Sequence, residues 1–208
     1  MISRDELDRA FDQRFSKEIQ VKLRNARVAI AGLGGLGSNI AVALARSGVG
    51  HMLLVDFDLV DITNINRQAY GISQIGKPKT QAILEVLAEI NPYLDIEIMQ
   101  TKVTEDNAAD IFEGYTIICE AFDKADQKAM LVNTLLEELP DAVIVSGNGM
   151  AGVGSCNDIK TIQKMKRLYI CGDEKTDVDD GIGLMAPRVL TVAGHQAGQV
   201  IRLILELK

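Results

Sequence analysis

Arg67, Lys79 and Asp123 are the side chains in this sequence whose types suit chemistry on a phosphate ester. Two cations can neutralise charge that builds on departing pyrophosphate, and an Asp at a strand end can hold magnesium through oxygen ligands, directly or through water. Asn64 accompanies Arg67, and Asp56 lies at the end of the apolar run HMLLVDFD, where an acid can reach a ribose hydroxyl. One Arg or Lys on a loop is ordinarily a solvated charge; the meaning lies in several converging on one edge. A nicotinamide dinucleotide would leave two cations and a second carboxylate little to do beside its phosphates. ATP with magnesium gives each a role.

These residues need a frame, and VAIAGLGGLGSNIAVALARSG, from Val28 to Gly48, supplies its centre. A short apolar run feeds a glycine-rich turn and then an apolar-periodic helix ended by Gly48. The first backbone N–H groups of such a helix are free and point, with the positive end of its dipole, at an arriving anion. Gly32, Gly34 and Gly37 match G-x-G-x-x-G: one glycine for the tight turn, one for close backbone approach, one for helix against sheet. Ahead of this unit, residues 1–25 read as a helical arm. Leu7, Phe11, Phe15, Ile19 and Leu23 recur at four-residue spacing, which suits one helix or two short ones broken near Ser16. After it, FDLVDITNINRQAYGISQIGKPK is irregular for over twenty residues, a length that in compact domains is usually functional or disordered.

Further on, strand and helix patterns alternate. A helix over 79–90 stops at Asn91-Pro92, and DIEIMQ alternates as a half-buried strand does. A short helix near 105–112 leads into the strand YTIICEAF, which delivers Asp123 at its carboxyl end. A helix near 124–139 and a fifth parallel strand, AVIVSGNG, follow. The alternation predicts an α/β fold: a doubly wound, Rossmann-like, mostly parallel sheet with ligands at the carboxyl ends of its strands. The changed period over 150–171 predicts antiparallel strands added at one edge after the fifth parallel strand. GDEKTDVDDGIG, 172–183, reads as a mobile acidic loop, and 186–206 as a last helix with Val189, Val192, Ala193, Val200, Ile201 and Ile204 available for burial. Without repeat or linker, residues 1–208 are expected to form one domain.

The net charge of -7 argues against a nucleic-acid-binding surface and predicts repulsion of polyanions. Tryptophan is absent, so recognition of bases by aromatic stacking is not expected. Cys119, Cys156 and Cys171 contain no C-x-x-C pair, which suits a reducing compartment and neither a disulfide framework nor a four-cysteine zinc site. No signal segment and no run long enough to span a bilayer is evident, so a cytoplasmic protein without membrane contact is expected. His51 opens a strand and His195 lies in the last helix; both read as packing residues.

GLGGLGS, LLVDFDLVDITNINRQ and IGKPK, with Asp123 after an apolar strand and GLMAPRV before the last helix, together resemble the ubiquitin-activating-enzyme superfamily, most closely the bacterial ThiF and MoeB adenylyltransferases for sulfur carrier proteins. The resemblance runs from about Arg14 onward. It implies a homodimer and an ATP site with Gly32, Gly34, Gly35 and Gly37 by the phosphates and Asp56 by the ribose. Asp58, Asn64, Arg67, Gln68 and Lys79 belong to the same implied site, and Asp123 takes the magnesium. The implied reaction is attack by the C-terminal glycine carboxylate of a ubiquitin-like sulfur carrier, ending in Gly-Gly, on the α-phosphate of ATP. A sulfur donor protein would act afterwards.

The sequence departs from that family in four respects. The paired C-x-x-C motifs are missing, so no structural zinc is expected; Asp179 or a neighbour stands where some ThiF proteins have a cysteine. Cys171 is the nearby thiol, open to a sulfur-relay reading or to that of an ordinary half-buried cysteine. The family's R-x-x-R appears as Arg14 and Lys17, and Lys lacks the planar fork of Arg. The sequence is also shorter than the larger relatives, so a compact ThiF-like branch without a rhodanese-like extension is expected. Alternative functions are a nicotinamide-dependent oxidoreductase, favoured by the fingerprint and Asp56 alone, and a nucleotide-binding scaffold without activity, against which Arg67, Lys79 and Asp123 speak.

Overall fold

The computed structural model describes residues 2–14, 16–178 and 181–207, so Phe15 of the arm and Asp179 of the acidic loop lie outside the described residues. Five segments form the parallel strands expected: Arg27–Ala31 (β1), His51–Val55 (β2), Asp95–Met99 (β3), Ile117–Glu120 (β4) and Val143–Gly147 (β5). Lys160–Met165 (β6) and Leu168–Gly172 (β7) complete a seven-stranded sheet in the order β3-β2-β1-β4-β5-β7-β6. The order reverses direction between β1 and β4. Ligands in open parallel sheets bind at such a switch point, outside the carboxyl ends of the strands.

Side chains alternate across the sheet and sort the core into two layers. On one face Val28, Ile30, Met52, Leu54, Cys119 and Val145 are buried with the helices Gly35–Ser47 (α3), Lys79–Ala88 (α4) and Ala186–Ile204 (α7). On the other, Ala29, Ala31, Leu53, Val55, Ile118 and Ile144 meet Glu105–Phe112 (α5) and Ala125–Glu138 (α6). Each fully buried Val, Leu or Ile contributes about 1.5–3 kcal/mol relative to exposure. Together they fix the register that brings the strand ends level.

The amino-terminal arm is two helices, Arg4–Asp12 (α1) and Lys17–Asn25 (α2). Ser3 and Glu6 cap the first reciprocally, and the Ser16 hydroxyl accepts the Ile19 N–H to start the second, which settles where the stripe breaks. Phe11 packs near Gly48 and Asp8 pairs with Arg24, so the arm lies toward the amino ends of the strands. DIEIMQ is a strand, but one at the sheet edge: in β3 all but Ile96 are exposed, because no neighbour covers its outer side.

The antiparallel pairing expected at the far edge is that of β6 on β7. β7 pairs in parallel with β5, so it is a sixth parallel strand, and β6 alone runs antiparallel. The acidic segment is pinned at its start. The Asp173 carboxylate is buried against Arg188 and takes the backbone N–H groups of Lys175 and Thr176. No helix among the described residues is long and apolar enough to cross a membrane.

Candidate active site

The turn between β1 and α3 is shaped by contacts that tolerate no side chain. Gly32 has φ +91°, and a Cβ there would lie 2.9 Å from the Ala121 carbonyl oxygen. A Cβ on Gly37 would lie 1.8 Å from the Gly32 oxygen, so helix and turn touch backbone to backbone. Gly34 caps α3 without offering a side-chain acceptor to the first helical N–H groups. Those donors are thus left for a ligand, as an anion cradle requires. Gly35 has an added role: its missing Cβ leaves room for Val189 of α7 and for the aliphatic stem of Arg67.

Asp56 closes β2 beside this turn. One oxygen accepts the Leu33 N–H at 2.6 Å and the other the Asp58 N–H at 2.7 Å. Burial pushes the Asp56 carboxyl above the usual range, while Lys79 and those two N–H groups work against the shift. Lys79 begins α4, 7% exposed, with Nζ 2.8 Å from an Asp58 oxygen and 3.9 Å from Asp56. Asp58 is half exposed and its backbone oxygen also holds the Lys79 N–H, so the D-x-D segment fixes this lysine at both ends. A buried ammonium between two carboxylates at a strand end is a costly arrangement unless it serves a ligand.

The irregular segment comprises two short 3-10 turns, Ile62–Asn64 and Ile72–Gln74, tied back by a bridge from Leu59 to Pro78. Asn64 spends its side-chain oxygen on the Asp61 N–H and shapes the turn ahead of Arg67. Arg67 donates from Nη1 to the Thr63 carbonyl and to Asn66, while its Nε is buried without a partner among the described residues. Gln68 is likewise buried with an unpartnered Oε1, next to Gly34. Unpaired buried polar atoms cost free energy, so two of them flanking the cradle mark a place where a bound group would complete the hydrogen bonding.

Asp123 follows β4 on the other side of the switch point. Its carboxylate is exposed and has no partner among the described residues, one position after Phe122, whose ring meets Gly32. No three His, Cys, Asp or Glu among the described residues gather as a metal cluster. A single exposed carboxylate beside a phosphate cradle fits magnesium, which takes one or two carboxylates with phosphate oxygens and water.

Several supporting residues escaped the sequence analysis. Asn39 ties the Gly35 and Arg67 carbonyls together at 2.7 and 2.9 Å. Ser38 donates to the Gly34 carbonyl and accepts the Ala69 N–H, and the Tyr70 hydroxyl donates to the Leu33 carbonyl at 2.8 Å. Their signal was present as polar residues on an otherwise apolar helix face and loop. Glu120, Lys128 and Gln196 form a buried polar group behind Asp123, announced by one acid inside the run IICEAF.

Cys171 is fully buried, its Sγ 3.5 Å from the Thr161 hydroxyl, and burial pushes its thiol up to about 11. Cys171 is thus more deeply buried than the half-buried cysteine expected, and burial disfavours the thiolate that a sulfur relay would need. His195 hydrogen-bonds Thr161 and His51 hydrogen-bonds Asp95, both away from the cradle. Arg14 and Lys17 are exposed on the arm.

Sheet order, glycine turn and strand-end acid are those of a Rossmann-like nucleotide-binding architecture. Within it, the chain belongs to the ThiF family, which matches residues 7–208. A Bacillus subtilis (strain 168) tRNA threonylcarbamoyladenosine dehydratase is 39% identical over 137 residues, 65% of this chain and 53% of that protein. The Salmonella typhimurium molybdopterin-synthase adenylyltransferase is 28% identical over 197 residues, 91% of this chain and 77% of that protein. The crystal structure of E. coli tRNA N6-threonylcarbamoyladenosine dehydratase, TcdA, in complex with ATP superposes with a TM-score of 0.87 at 22% identity, covering 99% of this chain and 97% of that one. At that identity the likeness is one of fold. The chain spans about half the length of the two dehydratase sequences it matches, from B. subtilis and Haemophilus influenzae.

Proposed function

We propose that this chain uses ATP and magnesium to adenylate the C-terminal glycine carboxylate of a ubiquitin-like sulfur carrier protein, releasing pyrophosphate, in the thiazole branch of thiamine biosynthesis. The observation that carries the reading is the buried Lys79 held between Asp56 and Asp58, beside a helix end whose first N–H groups have no side-chain cap. Together with Arg67 over Gly35, it sets two cations beside the glycine turn where a nucleotide's phosphates would lie.

In the reaction, a carboxylate oxygen of the carrier forms a bond to the α-phosphorus as the bond from that phosphorus to the β-phosphate's bridging oxygen breaks. The products are an acyl-adenylate and pyrophosphate. The attacking carboxylate is ionised at neutral pH, so no side chain has to remove a proton. The work left to the protein is positioning and charge stabilisation. Free N–H groups of α3 hold the phosphates, Asp56 accepts from the ribose, and Arg67 and Lys79 offset charge moving onto pyrophosphate. Magnesium, held by Asp123 and phosphate oxygens, would neutralise and orient the triphosphate. In the homodimer proposed here Arg14 and Lys17 can act only across the pair, since the arm of each copy lies toward the opposite end of its own sheet. A sulfur donor protein would then convert the activated carbonyl to thiocarboxylate.

The identity to tRNA threonylcarbamoyladenosine dehydratase favours a second reading, adenylation of a modified tRNA nucleoside. The net charge of -7 counts against it, because a tRNA-binding surface is ordinarily basic. The deciding experiment is exchange of labelled pyrophosphate into ATP with magnesium, run with sulfur carriers ending in Gly-Gly and separately with tRNA. Exchange with one carrier alone supports the proposal and names the pathway. Exchange with tRNA alone supports the second reading. ATP binding without any exchange would indicate a scaffold, and NAD binding without ATP binding an oxidoreductase.

A further inference from the structure

Behind Asp123, at the carboxyl end of β4, the Glu120 side chain is fully buried. One carboxylate oxygen accepts the Phe122 N–H at 2.7 Å and Lys128 Nζ at 3.1 Å. The other accepts the Ser146 hydroxyl at 2.5 Å and the same Nζ at 3.0 Å. Lys128, in the first turns of α6, also donates to the Gly147 carbonyl at 2.8 Å. Gln196 of α7 donates to the Glu120 and Val145 carbonyls, both at 3.0 Å. The largely buried pair thereby clamps β4, β5 and α6 at the edge where the nucleotide site lies, and Gln196 ties α7 to the same strands.

Stability alone does not account for this pair. Removing two charges from water costs as much as their attraction returns, and a well-packed apolar pair of the same volume commonly serves as well. What the pair does is hold the turn after β4. Its hook on the Phe122 N–H fixes the residue immediately before Asp123, and the same turn brings Ala121 and Phe122 against Gly32. Magnesium demands near-ideal octahedral geometry, so a carboxylate that shifts by a fraction of an ångström binds it less well.

We propose that the Glu120–Lys128 pair positions Asp123 for the metal, acting through the Phe122 backbone, without itself touching metal or nucleotide. This rests on the assignment of Asp123 to magnesium made above. Manganese is the probe, with its free concentration read by electron paramagnetic resonance in the presence of α,β-methylene-ATP. Glu120→Gln keeps the shape and strips Lys128 of its counter-charge. It should weaken manganese binding by about tenfold, the scale for partners lying behind a metal ligand, and leave metal-free nucleotide affinity within about twofold. Adding it to Asp123→Asn should cost nothing further, because the ligand it serves is gone. Lys128→Met should resemble Glu120→Gln, and Lys128→Arg should recover most of the loss.

A lower melting temperature in Glu120→Gln with manganese affinity unchanged, while Asp123→Asn loses the metal, would overturn the positioning role and leave Asp123 assigned. Unchanged manganese affinity in Asp123→Asn would instead overturn the metal assignment beneath it. Should Glu120→Gln fail to fold, Ser146→Ala removes one hydrogen bond from the carboxylate and spares the ion pair. It should weaken manganese by about threefold, the scale of one hydrogen bond, and no change there would equally overturn the proposal.

Discussion

Replacing Lys79 by Met removes a charge from between two carboxylates while keeping an unbranched stem in the slot. At 3.9 Å from Asp56 its gross attraction is about 4 kcal/mol at an effective dielectric near 20. Asp56 keeps its two N–H donors and Asp58 can turn to water, so the net loss is smaller, about 2–3 kcal/mol at neutral pH. That corresponds to a melting temperature lower by roughly 5–10 °C in a chain of this size. The loss should depend on pH with a definite sign. The Asp56 carboxyl is already raised by burial, so its contribution to stability is present in acid and fades as pH rises through its folded value. Without Lys79 the value rises further, so the fading continues to higher pH and its total is larger. The gap between wild type and variant should therefore be widest near pH 8 and narrow as pH falls through the folded value of Asp56, below which the protonated carboxyl needs no counter-charge. Urea unfolding of both proteins, without nucleotide, across that range measures it. A gap that is constant or grows in acid would refute the electrostatic account of the Lys79 slot.

Other substitutions test other parts of the site. Gly37→Ala forces a methyl into the Gly32 carbonyl and should cost about 1–3 kcal/mol in denaturant unfolding, with ATP binding by calorimetry falling alongside. Asp123→Ala, at an exposed position, should change stability by less than about 0.5 kcal/mol and abolish magnesium-dependent pyrophosphate exchange; wild-type exchange would remove it from the mechanism. Arg67→Ala should slow adenylate formation by roughly 10²–10³ while ATP affinity drops much less, because its contact strengthens as charge moves onto pyrophosphate. Equal losses would mean ground-state binding. In thiol labelling of the native protein, exposed Cys156 should react first, with Cys119 and Cys171 protected until unfolding, since burial raises both thiols.

The sheet was legible because its strands carry one kind of signal. Val28–Ala31 and Met52–Val55 are continuous apolar runs, as strands covered on both faces must be. The glycines were legible for a different reason: their spacing reflects backbone contacts that no other residue permits, and the Gly32–Gly37 approach is such a contact. Which neighbour β7 takes was not legible, because alternation in 158–165 carries no sign of the partner a strand will choose, and β7 lies in parallel beside β5. The role of Asn64 as a turn former and the ties made by Asn39 and Tyr70 were hidden for a related reason. A polar side chain declares that it needs a partner but not whether the partner is a ligand or the chain itself. Glu120 was the clearest such case: an acid in an apolar strand whose partner, Lys128, lies eight residues onward in the first turn of the next helix.

α7 lies against α3 and closes the face of the sheet that bears the site, with Val189, Val192 and Val200 buried and Gln196 bonded to strands β4 and β5. It is also synthesised after every strand of the sheet. Until residue 204 has cleared the ribosome, β4 and β5 lack the cover that α7 gives this face, and the Val145 and Glu120 carbonyls lack the donor that Gln196 supplies. The first half of the chain, which holds most of the cradle, thus cannot complete its packing before α7 is made. Until then the nascent chain keeps that face open, as a client for chaperones and a target for proteases, and the nucleotide site gains its full support only once α7 has docked.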